Sequence, residues 1–335
     1  MLSKAVRAGS VLNCARPLIP ATAIKLKRRG IETKIPPETP SSLKGDLKLV
    51  TGSSLFNPRT EYRMVRKYQG RLKACILDWA GTVVDCGVYS PAVAFIDVFA
   101  QEGVPITMEE AREPMGTHKK VHIRKITESE AVRKRWHEKF GRYPNEEDVE
   151  RMYQKFIPQQ ISSLESSQMI SGAVETVSFI KKEFNLKIGS TTGFTSAMVD
   201  KLKTTASKQG YTPDCYVAAD EVPQARPHPY MVWLNAIRLD VNPIQAIVKV
   251  DDTADGVREG TSAGCWSVGL AKTGNYVALN EEEIAALSKE DYERKISRSY
   301  EILSNAGAHY VIDTINDLPP VIEDINRRLA SGENP

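Results

Sequence analysis

Residues 74–82 read ACILDWAGT, an apolar run that ends in Asp78 and is followed by Gly81 and Thr82. Such a run is typical of a buried strand, and a strand of a parallel sheet delivers the next residue to the carboxyl edge, where open α/β folds bind ligands. Asp78 is therefore a candidate nucleophile for phosphoryl chemistry. By itself, an Asp in this position equally fits a helix cap or a turn, so the rest of the chain has to decide.

Further apolar runs, separated by helical stretches, begin at residue 186 and predict more strands, at 186–189, 215–218, 246–250 and 267–270. Alternation of strands and helices predicts a doubly wound parallel sheet. Residues 89–167, between the first two runs, have a helical pattern. The sequence thus predicts an α/β fold, in which a Rossmann-like doubly wound parallel sheet carries an inserted helical cap domain. We expect the core domain at 72–88 and 168–330 and the cap domain at 89–167.

The N-terminal segment differs from the rest in composition. Residues 1–31 are basic, and the first acidic side chain is Glu32. This composition predicts a mitochondrial presequence, although a disordered basic tail without targeting function has the same pattern. Residues 32–71 contain several prolines and predict a linker. We expect a mitochondrial protein, or a cytoplasmic one if residues 1–31 do not direct import.

The bulk composition excludes several classes of function. The chain has 335 residues, of which 41% are hydrophobic and 26% charged, as expected for a globular protein with a sizeable core. A formal charge of +3, concentrated at the N-terminus, is too weak to predict a nucleic-acid partner. The five cysteines lack a C-x-x-C spacing, and no stretch approaches ~18 consecutive apolar residues. We therefore expect neither a nucleic-acid nor a membrane partner.

Two polar clusters after later strands are candidate phosphate sites. Thr191 and Thr192 follow the run at 186–189, and their hydroxyl and backbone N–H groups suit a phosphate at a helix start. Arg226 precedes Pro227 in a turn, where its guanidinium suits phosphate oxygens. Taken singly, Ser/Thr-Gly pairs are common in turns and a lone Arg fits a surface position.

Two adjacent carboxylates, Asp251 and Asp252, follow the run at 246–250. Neighbouring carboxylates at a strand end are costly unless a cation neutralises them. Together with Asp78 they form a set of oxygen ligands that suits Mg²⁺, which keeps several waters and takes few carboxylates. The sequence predicts a magnesium site at this edge of the sheet.

The ordered set of clusters (Asp, Ser/Thr, basic residue, Asp-Asp), with a helical insert after the first, resembles the haloacid dehalogenase superfamily over residues 72–330. Most phosphatases of that superfamily carry a second Asp, two residues after the nucleophile, as general acid for an alkoxide leaving group. Ala80 stands at that position here. The resemblance therefore argues against ordinary phosphate-ester hydrolysis.

Residues 114–122 read PMGTHKKVH, which resembles the P-M-G-x-x-K-x-x-H segment of phosphonoacetaldehyde hydrolases. In that family the lysine forms a Schiff base with the substrate aldehyde, which makes Lys119 the corresponding residue. Met115, Lys119 and His122 are spaced to share one helical face. By spacing alone, Lys119 also fits a solvated basic helix face, because Lys120 lies beside it.

The resemblance implies hydrolysis of the C–P bond of phosphonoacetaldehyde, a small-molecule phosphonate, by a homodimeric enzyme. Asp78, Lys119 and His122 would be catalytic. Further roles would be substrate or phosphate binding by Met115, Gly116, Thr191, Thr192 and Arg226, and Mg²⁺ binding by Asp78, Ala80, Asp251 and Asp252. Two alternatives stay open: a phosphatase or phosphomutase acting on a small phosphate ester, and a catalytically silent relative that acts as a binding protein.

Three positions depart from the family pattern. Phe194 stands where many relatives have Tyr, and Val88 where some have Cys or Ser. Gly256 replaces a downstream Asp found in part of the family. We expect the neighbouring Asp251 to supply that missing carboxylate.

Overall fold

The computed structural model describes residues 54–56, 63–65 and 68–335. The predicted presequence, residues 1–31, lies outside this part of the chain. Within the stretch predicted as a linker, β1 (Ser54–Phe56) pairs antiparallel with β2 (Arg63–Val65). Strands of three residues are too short to show a clear alternation of apolar and polar positions, so the pattern did not predict them.

The core is a six-stranded sheet in which every pairing is parallel. In chain order its strands are β3 (Ala74–Leu77), β4 (Lys187–Thr191), β5 (Cys215–Val217), β6 (Ile247–Asp251), β7 (Trp266–Leu270) and β8 (Tyr310–Ile312). In space the order is β5-β4-β3-β6-β7-β8, so the direction of winding reverses between β3 and β6. The doubly wound parallel sheet is confirmed, and ligands bind at such a reversal in open α/β folds.

Helices cover both faces of the sheet. Alternate residues of β3 point to opposite layers: Cys75 and Leu77 join one apolar cluster, and Ala74 and Ile76 join another. Seven helices of the described chain lie after the helical insert that follows β3. They are α6 (Ala173–Glu183), α7 (Ser196–Lys208), α8 (Tyr230–Arg238), α9 (Ala254–Ala263), α10 (Glu281–Ala286), α11 (Lys289–Asn305) and α12 (Leu318–Ala330). Burial on both sides explains why the central strands read as continuous apolar runs.

Five helices lie between β3 and β4, where the cap domain was predicted. They are α1 (Tyr89–Gln101), α2 (Met108–Arg112), α3 (Lys119–Glu128), α4 (Glu130–Phe140) and α5 (Glu146–Leu164). Side chains of Thr107 and Asn145 accept backbone N–H bonds at the starts of α2 and α5, in capping boxes. Phe95 of α1 stacks on Phe156 of α5, with 4.4 Å between the ring centroids.

The two connections between core and helical insert run side by side. The backbone N–H of Ile170 donates to the carbonyl of Val83 at 2.9 Å, and that of Asp85 to Gln168 at 3.0 Å. These bonds hold both ends of the insert at one edge of the core, so that its first helices lie over the carboxyl ends of the strands. In the described part of the chain, no helix has both the length and the apolar character that a membrane span needs.

Candidate active site

A small cavity lies between the carboxyl edge of the sheet and the helical insert. Its volume is about 20 Å³, room for about one water molecule. Its wall consists of Asp78, Ala80, Val88, Pro91, Met115, Gly116, Lys119, Thr192, Gly193, Phe194, Arg226, Asp252 and Thr253. Most of the residues predicted from the sequence therefore meet in one place. The remaining three, His122, Thr191 and Asp251, lie behind this wall.

Asp78 is held at the end of β3 by backbone and side-chain bonds. Its N–H donates to the carbonyl of Val250 at 3.0 Å, and Nη2 of Arg226 donates to its Oδ1 at 2.7 Å. Burial raises the pKa of the Asp78 carboxyl, and the adjacent Arg226 charge opposes that rise. The carboxylate thus faces the cavity with one oxygen fixed by a guanidinium.

Arg226 connects Thr191 to the buried carboxylates of the site. Its Nη2 lies 3.1 Å from Oδ2 of Asp251 and donates to Oγ1 of Thr191 at 2.8 Å. Its Nε donates to Oε2 of Glu259 at 3.0 Å. The hydroxyl of Thr191 is therefore engaged with Arg226, while Thr192 lines the cavity beside Phe194.

Two buried charged residues of the site, Lys249 and Glu259, were not predicted. Nζ of Lys249 donates to Oδ2 of Asp251 at 2.6 Å and lies 3.8 Å from Oε2 of Glu259. Both side chains are fully buried. A signal was available for Lys249, because a lysine inside the buried run of β6 is unusual without a partner. Glu259 lies on α9, and only the folded chain brings it beside Arg226.

Asp251 is surrounded by donors. Oδ1 accepts from the N–H of Thr253 at 3.0 Å and from its hydroxyl at 2.7 Å, while Oδ2 faces Lys249 and Arg226. Burial works against ionisation, but these two cations hold the pKa of Asp251 below its usual range. The carboxylate has about four acceptor sites, and these donors use them. Asp251 thus anchors Arg226 and Lys249, and these bonds leave it little free acceptor capacity for a metal ion.

Gly256 explains how the side chain of Asp251 fits. A Cβ at residue 256 would fall within the space that the carboxyl group of Asp251 occupies. A side chain at residue 256 and the carboxylate of Asp251 would therefore compete for the same volume. This competition is consistent with the expectation that Asp251 supplies the carboxylate that some relatives have at the position of Gly256.

Three carboxylates offer oxygens to a metal ion: atoms of Asp78, Asp251 and Asp252 lie within 4.8 Å of one another. Oδ2 of Asp252 accepts from the N–H of Asn275 at 2.8 Å, whereas its Oδ1 has no hydrogen-bond partner among the described residues. Burial, followed by the charges of Asp78 and Asp251, raises the pKa of Asp252 well above its usual value. A buried oxygen without a donor in an all-oxygen cluster fits Mg²⁺.

Lys119 is the first residue of α3 and is 4% exposed, which rules out a solvated basic face. Its Nζ lies 4.8 Å from the centroid of the Phe194 ring and 5.8 Å from that of Phe95. Burial lowers the pKa of Lys119 to about 8; the negative charge of Asp78 opposes this shift, and the positive charge of Arg226 adds to it. The positive end of the helix dipole also disfavours a cation at this position. A sizeable fraction of the amine is therefore neutral near physiological pH.

His122 lies one turn further along α3, outside the cavity. Its Nε2 is 2.8 Å from the carbonyl oxygen of Ala111, and its ring stacks on Phe95 with 3.9 Å between centroids. Burial lowers the pKa of His122 well below its usual value, so the ring is neutral and Nε2 carries the proton that bonds Ala111. Both His122 and Lys119 thus pack against Phe95.

The insert fits tightly against the core around Gly116. This residue has φ of +96°, and a Cβ there would lie 2.6 Å from Oγ1 of Thr253. A Cβ on Gly193 would lie equally close, 2.6 Å, to the carbonyl oxygen of Thr117. Val88 and Phe194, the two residues that differ from the family pattern, contribute apolar side chains to the cavity wall. Asp78 and Lys119 are both buried in this wall and largely shielded from water.

The family model for haloacid dehalogenase-like hydrolases matches residues 72–264. A phosphonoacetaldehyde hydrolase from Hahella chejuensis is 42% identical over 275 residues, which cover 82% of this chain and 93% of that protein. The chain belongs to the phosphonoacetaldehyde hydrolase family. The phosphonoacetaldehyde hydrolase of Pseudomonas putida F1 is 44% identical over 266 residues, covering 79% of this chain and 96% of the relative.

Solved structures agree with membership of the phosphonoacetaldehyde hydrolase family and hence with a hydrolase. A phosphonoacetaldehyde hydrolase-like protein from Oleispira antarctica superposes with a TM-score of 0.80 at 40% identity, covering 82% of this chain and 100% of that one. A β-phosphoglucomutase from Clostridium difficile reaches a TM-score of 0.56 at 20% identity, covering 77% and 98% of the two chains. At that identity the second likeness shows the shared fold alone.

Proposed function

We propose that this protein hydrolyses the C–P bond of phosphonoacetaldehyde to acetaldehyde and phosphate. The observation that carries the proposal is the pairing of a buried amine, Lys119, with a buried carboxylate, Asp78, in the wall of one small cavity. Ala80 stands where an ester phosphatase of this superfamily has its general acid. The names of the relatives support the same substrate.

Lys119 activates the substrate in this account. Its neutral amine adds to the aldehyde carbon, and loss of water leaves a protonated imine. A C–P bond breaks poorly when its electrons must remain on carbon, and the imine accepts those electrons. The lowered pKa of Lys119 and its apolar neighbours Phe95 and Phe194 favour the neutral amine that this step requires.

Asp78 then attacks phosphorus. The electrons of the C–P bond move into the imine to give an enamine, while Asp78 becomes an aspartyl phosphate. In this proposal Arg226 and Thr192, which both line the cavity, bind phosphoryl oxygens as the charge develops. Water hydrolyses the acyl phosphate to release phosphate and free Asp78. The enamine takes a proton from solvent on its terminal carbon, and water hydrolyses the resulting protonated imine to acetaldehyde and free Lys119.

Mg²⁺ is the cofactor that these residues fit, with Asp78, the carbonyl of Ala80 and Asp252 as its ligands. When bound, the ion would neutralise negative charge on the carboxylates and on the phosphoryl group. Asp251 supports this set from behind by holding Arg226 and Lys249. The neutral ring of His122 supports Lys119 by packing against Phe95 and fixing the start of α3 to Ala111.

The substrate assignment is tested by product analysis. Purified protein with Mg²⁺ is incubated either with phosphonoacetaldehyde or with a two-carbon phosphate ester, and both phosphate and acetaldehyde are measured. We expect the two products in equal amounts from the phosphonate and little phosphate from the ester. Turnover of the ester alone would indicate a phosphatase, and absence of turnover with both would indicate a silent relative.

Import and assembly are part of the proposal. We propose that residues 1–31 direct mitochondrial import, which their basic composition without any acidic side chain supports. Fusion of this segment to a fluorescent protein should give a mitochondrial signal, and a diffuse signal would contradict import. We further propose a homodimer, as the resemblance implies. Sedimentation equilibrium should give twice the chain mass of 37.2 kDa, or twice that of a processed chain.

A further inference from the structure

Arg112 reaches from the helical insert into the core. It ends α2 and is 6% exposed. Its Nη1 donates to the carbonyl of Gly87 at 2.6 Å and to Oδ1 of Asn275 at 3.3 Å. In return, Nδ2 of Asn275 donates to the backbone carbonyl of Arg112 at 3.2 Å. The two residues are thus joined in both directions across the boundary between insert and core.

Asn275 connects this contact to the proposed metal site. Its backbone N–H donates to Oδ2 of Asp252 at 2.8 Å, and the same carboxylate has Oδ1 free of protein donors within the described chain. On the other side, a Cβ at Gly274 would lie 2.5 Å from Cβ of Asp252, so the loop is pressed against the aspartate. A shift of residues 274–275 would therefore reorient Asp252.

The contact between Arg112 and Asn275 is one that opening of the site must disturb. The cavity of about 20 Å³ is too small for phosphonoacetaldehyde, so its wall, which insert and core residues share, has to rearrange to admit it. In the closed form, Nε and Nη2 of Arg112 are buried and lack acceptors among the residues that the structure describes. A buried guanidinium with unpaired donors is costly, so this contact gives the closed form little surplus stability.

We propose that Arg112 is a positioning residue: through Asn275 it orients Asp252, so that the Mg²⁺ site is fully formed only when the insert is closed over the core. This inference rests on the proposed function for the identity of the metal. It goes beyond that function by assigning a role to two residues outside the cavity wall. Groups that orient a metal ligand typically change metal affinity by 10–100-fold when removed.

The test is a calorimetric titration of the full chain with Mg²⁺ in the absence of substrate. We expect R112M and N275A each to bind Mg²⁺ about tenfold more weakly than the wild type. The double variant should lose no more Mg²⁺ affinity than either single variant, because both substitutions break the same contact between Arg112 and Asn275. R112K, whose amine can still reach Gly87 or Asn275, should recover part of the affinity. R135M is the matched control, since Arg135 bonds Glu110 and Pro105, both within the insert.

The Mg²⁺ dependence of the rate is a second measurement, and loss of packing alone would not change it. In R112M the Mg²⁺ concentration for half-maximal rate should rise about tenfold, while KM for phosphonoacetaldehyde stays near the wild-type value. The proposal is overturned if R112M and N275A keep wild-type Mg²⁺ affinity and only have a lower Tm. It is also overturned if the loss of Mg²⁺ affinity in the double variant is the product of the losses in the two single variants. Should R112M fail to fold, N275A alone decides. A wild type that binds no Mg²⁺ would overturn this link and the metal assignment together, while leaving the substrate assay unaffected.

Discussion

Lys119 lies in a cavity that penalises its positive charge. Two aromatic rings and the start of a helix surround it, and the guanidinium of Arg226 adds a like charge nearby. Attraction of the ammonium group to the ring faces offsets part of this penalty. The balance leaves an amine that can lose its proton at a pH where a solvent-exposed lysine stays charged.

The pH dependence of the reaction follows from the sign of this shift. Because attack on the aldehyde requires the neutral amine, kcat/KM should fall as pH drops through the pKa of Lys119, which is about 8. Bound Mg²⁺ is a further nearby cation and would move this limb to lower pH. Rates of acetaldehyde release measured from about pH 5.5 to about pH 11 should therefore show an acid limb at or below about pH 8. A limb near the ordinary lysine value of ~10.4 would contradict this environment.

At Gly256 a single methyl group should disturb the site. In G256A the added Cβ competes with the carboxyl group of Asp251, which must then release Arg226 or Lys249. We expect a loss of about 1–3 kcal/mol in the free energy of unfolding, together with a lower kcat. S262A, an exposed change in the same helix, is the control and should leave both unaffected. Wild-type stability and rate in G256A would show that the two positions do not share one volume.

Individual site residues were predictable to different degrees. Asp78, Asp252 and Arg226 come at the ends of strands or in a proline turn, so their shared edge could be predicted from the chain. Glu259 and Asn275 carry no local signal, because their importance depends on which side chains the folded sheet brings next to them. The role of Asp251 could not be predicted from the sequence either, because it depends on four donors that only the folded chain brings to its carboxylate.

At the scale of elements, the turn that contains Gly116 positions Lys119. It precedes α3 and presses on Thr253, whose hydroxyl binds Asp251. The four apolar runs after the cap predicted β4 to β7 to within two residues at each end. Strand β8 (Tyr310–Ile312) was not predicted, because this edge strand has three residues and all are only half-buried. A short strand of that kind lacks the continuous apolar run that marks the central ones.

The packing of this turn against Thr253 should be sensitive to a methyl group added at residue 116. In G116A a Cβ would lie 2.6 Å from Oγ1 of Thr253, which would push the turn away and displace Lys119 from Asp78. We expect kcat to fall by about a hundredfold, as small displacements of reacting groups do.

G141A is the matched control for this change. Gly141 also has positive φ, +67°, but a Cβ there meets nothing within 4 Å, so this variant reports the backbone strain alone. Equal rates in G116A and G141A would show that contact with Thr253 does not matter for closure.

At the scale of the whole molecule, the site is assembled from the core sheet and the helical insert. Charged side chains of both signs are buried in or beside the site. Four carboxylates (Asp78, Asp251, Asp252 and Glu259) lie near four cations (Arg112, Lys119, Arg226 and Lys249). Loss of the proton from Lys119 leaves the carboxylates in excess by one charge, which favours binding of a divalent ion. How insert and core meet depends on tertiary packing, so the alternation of strands and helices could predict the insert but not the cavity between them.

Binding of Mg²⁺ should therefore stabilise the whole protein. At a concentration one hundred times its Kd, the ion should add about 2.7 kcal/mol to the free energy of unfolding and raise Tm. D252N should lose this response. Its metal-free form should be at least as stable as the wild type, because burial and two neighbouring carboxylates disfavour the Asp252 charge. Thermal unfolding with Mg²⁺, with Ca²⁺ and with chelator measures both effects; a D252N variant that still responds fully to Mg²⁺ would place the ion elsewhere.

The central claim is that the substrate aldehyde becomes an imine on Lys119. The most direct measurement is to mix the wild type with phosphonoacetaldehyde and Mg²⁺, reduce with borohydride and locate the adduct by mass spectrometry of peptides. We expect a two-carbon adduct on Lys119 in the wild type. K119R should form none and should turn over more than about a thousandfold more slowly, because a guanidinium does not condense with an aldehyde. Substantial turnover by K119R, or an unmodified Lys119 in an active wild type, would contradict the account.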